Sequence, residues 1–228
     1  MEILFNQLTL IIITIAILVF SAIIHEVAHG YVAYRFGDPT AKLMGRLTLN
    51  PKSHIDPMMS VLLPLLLVIS GSPVIFGGAK PVPIDPFNLK EGRKDVALVS
   101  LAGPLTNVII AVAASFIFRL FFADYGFISL AFSQIPLTSF IDLIAFIVVQ
   151  IVNLNVILAI FNLIPIPPLD GSKVFALLLP QRYAQAYLSL ASIGIFILMF
   201  LLFFPIGGFS FQRFIFTLYA FSLSLLGF

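Results

Sequence analysis

Five stretches of this chain are apolar for long enough to cross a bilayer, and that limits the architecture before anything else does. They run from Leu8 to Phe36, Val96 to Phe122, Phe140 to Ile164, Tyr183 to Phe204 and Phe211 to Phe228. A helix needs about 20 residues to cross the hydrocarbon layer, and each run reaches or approaches that length. A mean hydropathy of +1.14 with 10% charged residues also exceeds what filling a soluble core requires. The runs do not alternate apolar and polar residues, which argues against a transmembrane β-barrel. The expected fold class is an all-α polytopic membrane protein.

A sixth apolar stretch, Met58 to Ser70, is shorter, carries Pro64 and leads into Gly71-Ser72-Pro73. That length suits a re-entrant or interfacial element. Arg35, Lys42, Arg46 and Lys52 precede it, while Lys80, Lys90, Arg93 and Lys94 follow it, so a full crossing would put two basic loops on opposite faces. If it dips in and returns, both loops are cytoplasmic, and Lys173 and Arg182 fall on the same side. The expectation is five full transmembrane helices plus one short re-entrant or interfacial element, N-terminus outside and C-terminus inside, with six spans as the alternative. The segment from Ala79 to Leu89 contains Pro81, Pro83 and Pro86, and is expected to form extended chain or short strands near the cytoplasmic surface. Only Glu2 is charged before the first run and no small-x-small cleavage site follows it, so that run is expected to stay in the mature protein.

Against this apolar background, His25-Glu26-Val27-Ala28-His29 stands out. Positions i and i+4 share a helix face, so His25 and His29 can offer two imidazoles to one ion, with Glu26 beside them as base for a water held by the metal. A chance pentapeptide is the competing explanation, yet the chain has three histidines and few acidic residues from which to assemble it by accident. Ionisable groups inside a spanning helix cost roughly 2.5–3.5 kcal/mol on insertion scales and are retained for function. The chain has no cysteine, so a metal must be held by nitrogen and oxygen ligands.

A tetrahedral zinc needs a third protein ligand beside two histidines, with water in the fourth position. The candidate is Asp170, in Asn162-Leu163-Ile164-Pro165-Ile166-Pro167-Pro168-Leu169-Asp170-Gly171, which closes the third full span at the expected depth of His29. Its prolines break the helix, and irregular backbone at membrane depth is tolerated where protein buries it or water reaches it. An ordinary helix stop with a solvated aspartate is the plainer alternative. Asn153 and Asn155, amides within an apolar helix, are expected to bond between helices. Gly103 and Gly194 are expected at packing or turn positions.

HEVAHG followed later by NLIPIPPLDG resembles the site-2 protease family of intramembrane zinc metalloproteases. LAGPLTN, Leu101 to Asn107, is similar to that family's third motif. GRLTLNPKSHIDP, Gly45 to Pro57, with FGGAKPVPI, Phe76 to Ile84, resembles its compact prokaryotic branch without a PDZ or CBS domain. The resemblance implies one Zn2+ ion held by His25, His29 and Asp170, with Glu26 as general base. It also implies that Asn107 and Asn162 position the substrate or polarise its carbonyl. His54, the remaining histidine, is open between an auxiliary role and a turn-stabilising one.

The implied reaction is hydrolysis of a peptide bond in a transmembrane substrate, within or near the bilayer of a prokaryotic cell, on the cytoplasmic side. Residues 1–228 are expected to form one membrane metalloprotease domain, with a catalytic core over about 8–174 and accessory helices over about 183–228. A metal-ion transporter would need polar groups continuing through the bilayer, and the outer halves of these spans are almost wholly apolar. A silent, membrane-segment-binding relative would have no need for all four of His25, Glu26, His29 and Asp170. The formal net charge of +2 does not suggest a nucleic-acid partner. Substrate identity and oligomeric state are not written in the sequence.

Overall fold

A computed structural model of the chain describes residues 7–54, 80–123, 125–127 and 139–228, with Leu62 and Leu66 alone between the first two ranges. The expected re-entrant stretch, Met58 to Ser70, therefore lies outside the described residues apart from those two leucines.

Three long helices form the framework. Helix α1 runs Gln7–Phe36 and is followed by a short helix α2, Thr40–Leu43. Helix α3 runs Arg93–Phe121 and α4 runs Phe140–Leu163. All three are long and apolar enough to span a membrane. Leu8, Ile11, Ile15, Ile109 and Phe116 are exposed along α1 and α3, which suits contact with lipid chains.

Helix α3 lies centrally and packs along both α1 and α4. Its contact with α4 is built on Ala111, Ala114 and Ala145, all buried, around Phe118, Phe146, Val149 and Val152. Small side chains let helices approach closely where lipid is as apolar as the core itself. A capping box starts α4: the Ser139 hydroxyl accepts from the Asp142 amide, and the Asp142 carboxylate accepts from that of Ser139.

The fourth expected span is broken. Helices α6, Gln181–Leu188, and α7, Ala191–Phe203, meet at 68°, so Tyr183 to Phe204 is not one straight crossing. The fifth, α8, Phe211–Leu226, has 16 residues, about 24 Å of helix, which is short of a roughly 30 Å core. The described residues thus contain three candidate spans, or four if the bent pair counts as one. Between α7 and α8 the chain reverses through Gly207 and Gly208, both at positive φ, with a single bridge from Ile206 to Phe209.

The expected short strands near the surface are corrected. From Lys80 to Asp85 the chain is irregular, and Pro86–Asn88 is a 3-10 turn, with no strand among the described residues. The reason lies in its donors. Pro81 and Pro83 have no N–H, Val82 donates to Glu26, and Asp85 donates to Asp38, so no ladder can run along it.

Asp38, at the end of α1 and fully buried, ties this segment down. Its carboxylate accepts from the amide and hydroxyl of Thr40, the amide of Asp85 and the side chain of Asn88. Burial alone would raise its pKa, but these hydrogen bonds outweigh burial and hold the carboxyl below its usual value. Asp38→Ala is expected to destabilise the protein on the order of 3 kcal/mol by stranding these donors, seen as a lower unfolding temperature in detergent. Because the folded pKa is depressed, the stabilisation is complete above the unfolded value of about 3.9 and is lost as pH falls through the folded one. The difference in unfolding temperature between wild type and Asp38→Asn should accordingly be largest near neutrality and shrink below about pH 4.

Candidate metal centre

Polar atoms converge where α1, α3 and the turn after α4 meet. His25 and His29, one helical turn apart on α1, have their Nε2 atoms 3.0 Å from each other. Asp170 Oδ2 lies 3.2 Å from the first and 3.0 Å from the second. Asp170 opens helix α5, Asp170–Leu178, directly after the proline-broken end of α4. All three residues are buried, at 5%, 5% and 8% exposure.

The other ring nitrogens decide what faces the centre. His29 Nδ1 is 2.6 Å from the Val99 carbonyl oxygen, which can only accept, so Nδ1 carries the proton. His25 Nδ1 is 2.5 Å from Asn107 Oδ1 and donates in the same way. Each neutral ring then presents a bare Nε2 lone pair. Two such lone pairs and a carboxylate oxygen facing one another repel unless a cation lies among them.

The spacing suits zinc. Two nitrogens on one tetrahedral zinc lie about 3.3 Å apart, given Zn–N bonds of roughly 2.0–2.1 Å, so the observed set needs only slight opening. Gly103 supplies the room: a Cβ there would sit 2.5 Å from Nε2 of both histidines. His25, His29 and Asp170 are also the group of ligand-type side chains among the described residues that can hold a metal ion.

The centre is held from behind. Asn107, fully buried on α3, turns its Oδ1 to His25 and donates from Nδ2 to Asn155 on α4 at 2.7 Å. Asn155 in turn donates to Ser21 Oγ on α1 at 3.0 Å. Asn153 likewise meets Tyr219 of α8. Lys173 Nζ lies 3.1 Å from Asp170 Oδ1, leaving Oδ2 as the oxygen turned to the histidines. Arg93, at the start of α3, donates to the Ala176 and Leu179 carbonyls and so braces the far end of α5.

Glu26, half-buried, stands next to His25 in the chain, and its Oε2 accepts from the Val82 amide at 2.7 Å. Asn162, by contrast, donates to the Leu158 carbonyl of its own helix. His54 is buried with Nε2 on the Thr48 carbonyl and Nδ1 without a partner among the described residues, in the turn around Pro51–Ser53. Sequence reasoning missed Gly103 as the site's clearance, although its place in LAGPLTN was a signal. The Val99 carbonyl and Val82 amide are backbone groups and leave none.

Three outcomes follow for metal content. Asn107→Ala should weaken zinc binding about 10–100-fold, the usual cost of losing a group that orients a ligand histidine, whereas Asn162→Ala should not change it; competition with a chromogenic chelator measures both. Gly103→Ala should yield protein that purifies without zinc, read by elemental analysis.

A sequence model of peptidase family M50 matches residues 13–204. A Bacillus subtilis protein named "Putative zinc metalloprotease YwhC" is 36% identical over 206 residues, 90% of this chain and 87% of the relative. Mycobacterium tuberculosis "Putative zinc metalloprotease Rip2" is 32% identical over 182 residues, covering 80% of this chain and 62% of the relative. A further relative, "Putative zinc metalloprotease MJ0611" of Methanocaldococcus jannaschii, is 34% identical over 110 residues, 48% of this chain and 47% of its own. The chain thus spans nearly all of the first relative and less than two thirds of the mycobacterial one. No solved structure matches it. The family model covers HEVAH, LAGPLTN and NLIPIPPLDG together, and the chain belongs to peptidase family M50, the site-2 protease family of zinc metalloproteases.

Proposed function

We propose that this protein hydrolyses peptide bonds of transmembrane substrates within or near the bilayer, with Glu26 as the general base. The observation that carries the proposal is the meeting of three buried acceptor atoms, from His25, His29 and Asp170, one residue from a half-buried carboxylate. Zinc bound there supplies a Lewis acid for the substrate carbonyl and makes water acidic enough to lose a proton near neutral pH.

The chain's own residues supply the rest. Glu26 accepts the proton from the attacking water and passes it to the leaving amine. Lys173 keeps one oxygen of Asp170 occupied, which disposes that carboxylate to bind through the other alone. Asn107 holds His25 rather than the substrate in this arrangement, since both ends of its amide are taken. A helical substrate hides its carbonyls in its own hydrogen bonds and must unwind at the scissile bond before water can attack.

Depth along α1 supports cleavage inside the membrane. His25 and His29 lie 11 and 7 residues before Phe36, roughly 16 and 10 Å into the helix from that end. The nearby end carries Arg35, Lys42, Arg46 and Lys52, which favours the cytoplasmic side under the positive-inside rule. The topology we propose has α1, α3 and α4 as full spans, with the bent α6–α7 pair and the short α8 completing five, the active site facing the cytoplasm of a prokaryotic cell and residues 1–228 as one domain.

The test is Glu26→Gln. In the reconstituted enzyme it should keep zinc and lose cleavage of a transmembrane peptide by about 100-fold or more, the scale of general-base catalysis. Unchanged turnover would remove Glu26 from the mechanism.

A further inference from the structure

The GRLTLNPKSH stretch carries no ligand and no base, yet it is built around a buried arginine. Arg46 is 8% exposed. One of its terminal nitrogens donates to the Ser53 carbonyl, and the other to the carbonyls of Lys80 and Pro81, at 2.7 and 3.2 Å. Its own amide donates to the Ala41 carbonyl of α2. A second link joins the same two segments, from the Lys80 amide to the His54 carbonyl at 2.8 Å. A guanidinium is therefore spent on three backbone carbonyls of two segments far apart in sequence.

What this clamp fixes is the peptide between Pro81 and Val82. The Pro81 carbonyl is held by Arg46, and the Val82 N–H on the other side of the same peptide bond donates to Glu26 Oε2 at 2.7 Å. A peptide bond is planar, so fixing the carbonyl fixes the direction of the N–H. The Val82 side chain is 6% exposed and seated on Gly30, one turn beyond Glu26, where a Cβ would lie 2.7 Å from Val82 Cγ1. Pro81 and Pro83 remove the neighbouring donors, so the Val82 amide is the one hydrogen that this tripeptide can offer.

We propose that Arg46 is a positioning residue for the reaction: by gripping the Pro81 carbonyl it aims the Val82 amide at Glu26 and holds that carboxylate in one orientation beside the metal ligands. The inference rests on Glu26 acting as base. Lysine cannot replace the arginine, because an ammonium lacks the planar fork that reaches carbonyls on two sides at once. The Val82 amide ties up one oxygen of Glu26 and leaves the other to water.

The experiment uses the full chain in lipid nanodiscs, with Arg46→Lys, Val82→Pro and the double variant. Each single change should lower kcat on a transmembrane peptide about 10–100-fold, the scale of a small misplacement of a reacting group. KM and zinc content should stay at wild-type values. The double variant should be no slower than the slower single one, because both changes break the same contact. Losses that multiply, loss of zinc, or wild-type kcat in either single variant would overturn the proposal.

Hydrogen exchange gives a readout that needs neither metal nor turnover. Val82 holds the single amide hydrogen of Pro81-Val82-Pro83, so a fragment difference across these residues reports it alone. In metal-free protein Arg46→Lys should speed its exchange about 10-fold or more, as a lost hydrogen bond requires; an unchanged rate would overturn the clamp. If Arg46→Lys does not fold, Val82→Pro decides by kcat at full zinc content, a loss supporting the proposal and wild-type turnover ending it. Full activity in Glu26→Gln would instead sink the catalytic role of Glu26 and leave the exchange result standing.

Discussion

Two imidazole lone pairs aimed at one carboxylate oxygen, away from bulk water, form an arrangement that nothing local stabilises. The rest of the fold is organised around making it tolerable. The Val99 carbonyl and Asn107 fix the imidazole protons on the far side of each ring, and Lys173 holds the spare oxygen of Asp170. Three helices contribute to the chain from His25 through Asn107 and Asn155 to Ser21. In lipid, an unsatisfied amide has no water to turn to, so such a chain must be complete.

The centre is also why α3 lies in the middle of the bundle. It supplies Gly103 as clearance, Val99 and Asn107 as backing, and Arg93 as the brace on α5. Gly103, Val99 and Asn107 face α1, Asn107 also reaches α4, and Arg93 faces α5, which one helix can manage only from a position between them. The alanines on its α4 face serve the same end, because close helix approach brings Asn107 within reach of Asn155.

Much of this was legible in the sequence because it follows short-range rules. The i, i+4 histidines had to share a face, and the long apolar runs at α1, α3 and α4 had to be helices. Asn153 and Asn155 had to find partners across helices, and did, in Tyr219 and in Asn107 and Ser21. Asp170 was readable from the prolines before it and from the family resemblance. What was not legible depends on distant contacts. The bend between α6 and α7 falls at Ser189-Leu190, where neither proline nor glycine announces it. The segment after Ala79 looked fit for strands by composition, yet the amides of Val82 and Asp85 are claimed by Glu26 and Asp38, residues more than forty positions away. The backing role of Asn107 was hidden because an asparagine beside a metal site serves a substrate or a ligand equally well until its partners are seen.

Gly194 on α7 lies against the proline turn that precedes Asp170: a Cβ there would fall 1.6 Å from the Pro167 carbonyl oxygen. Helices α6 to α8 hold none of His25, His29 and Asp170, but this contact makes α7 the wall behind the turn that carries Asp170. A shortened chain ending near Val174 would keep every residue of the three family motifs and still lay bare, at membrane depth, the irregular backbone on which the aspartate is mounted. The boundary between what binds the metal and what merely surrounds it is thus not a point along the chain, and the family's match reaching residue 204 runs past that wall.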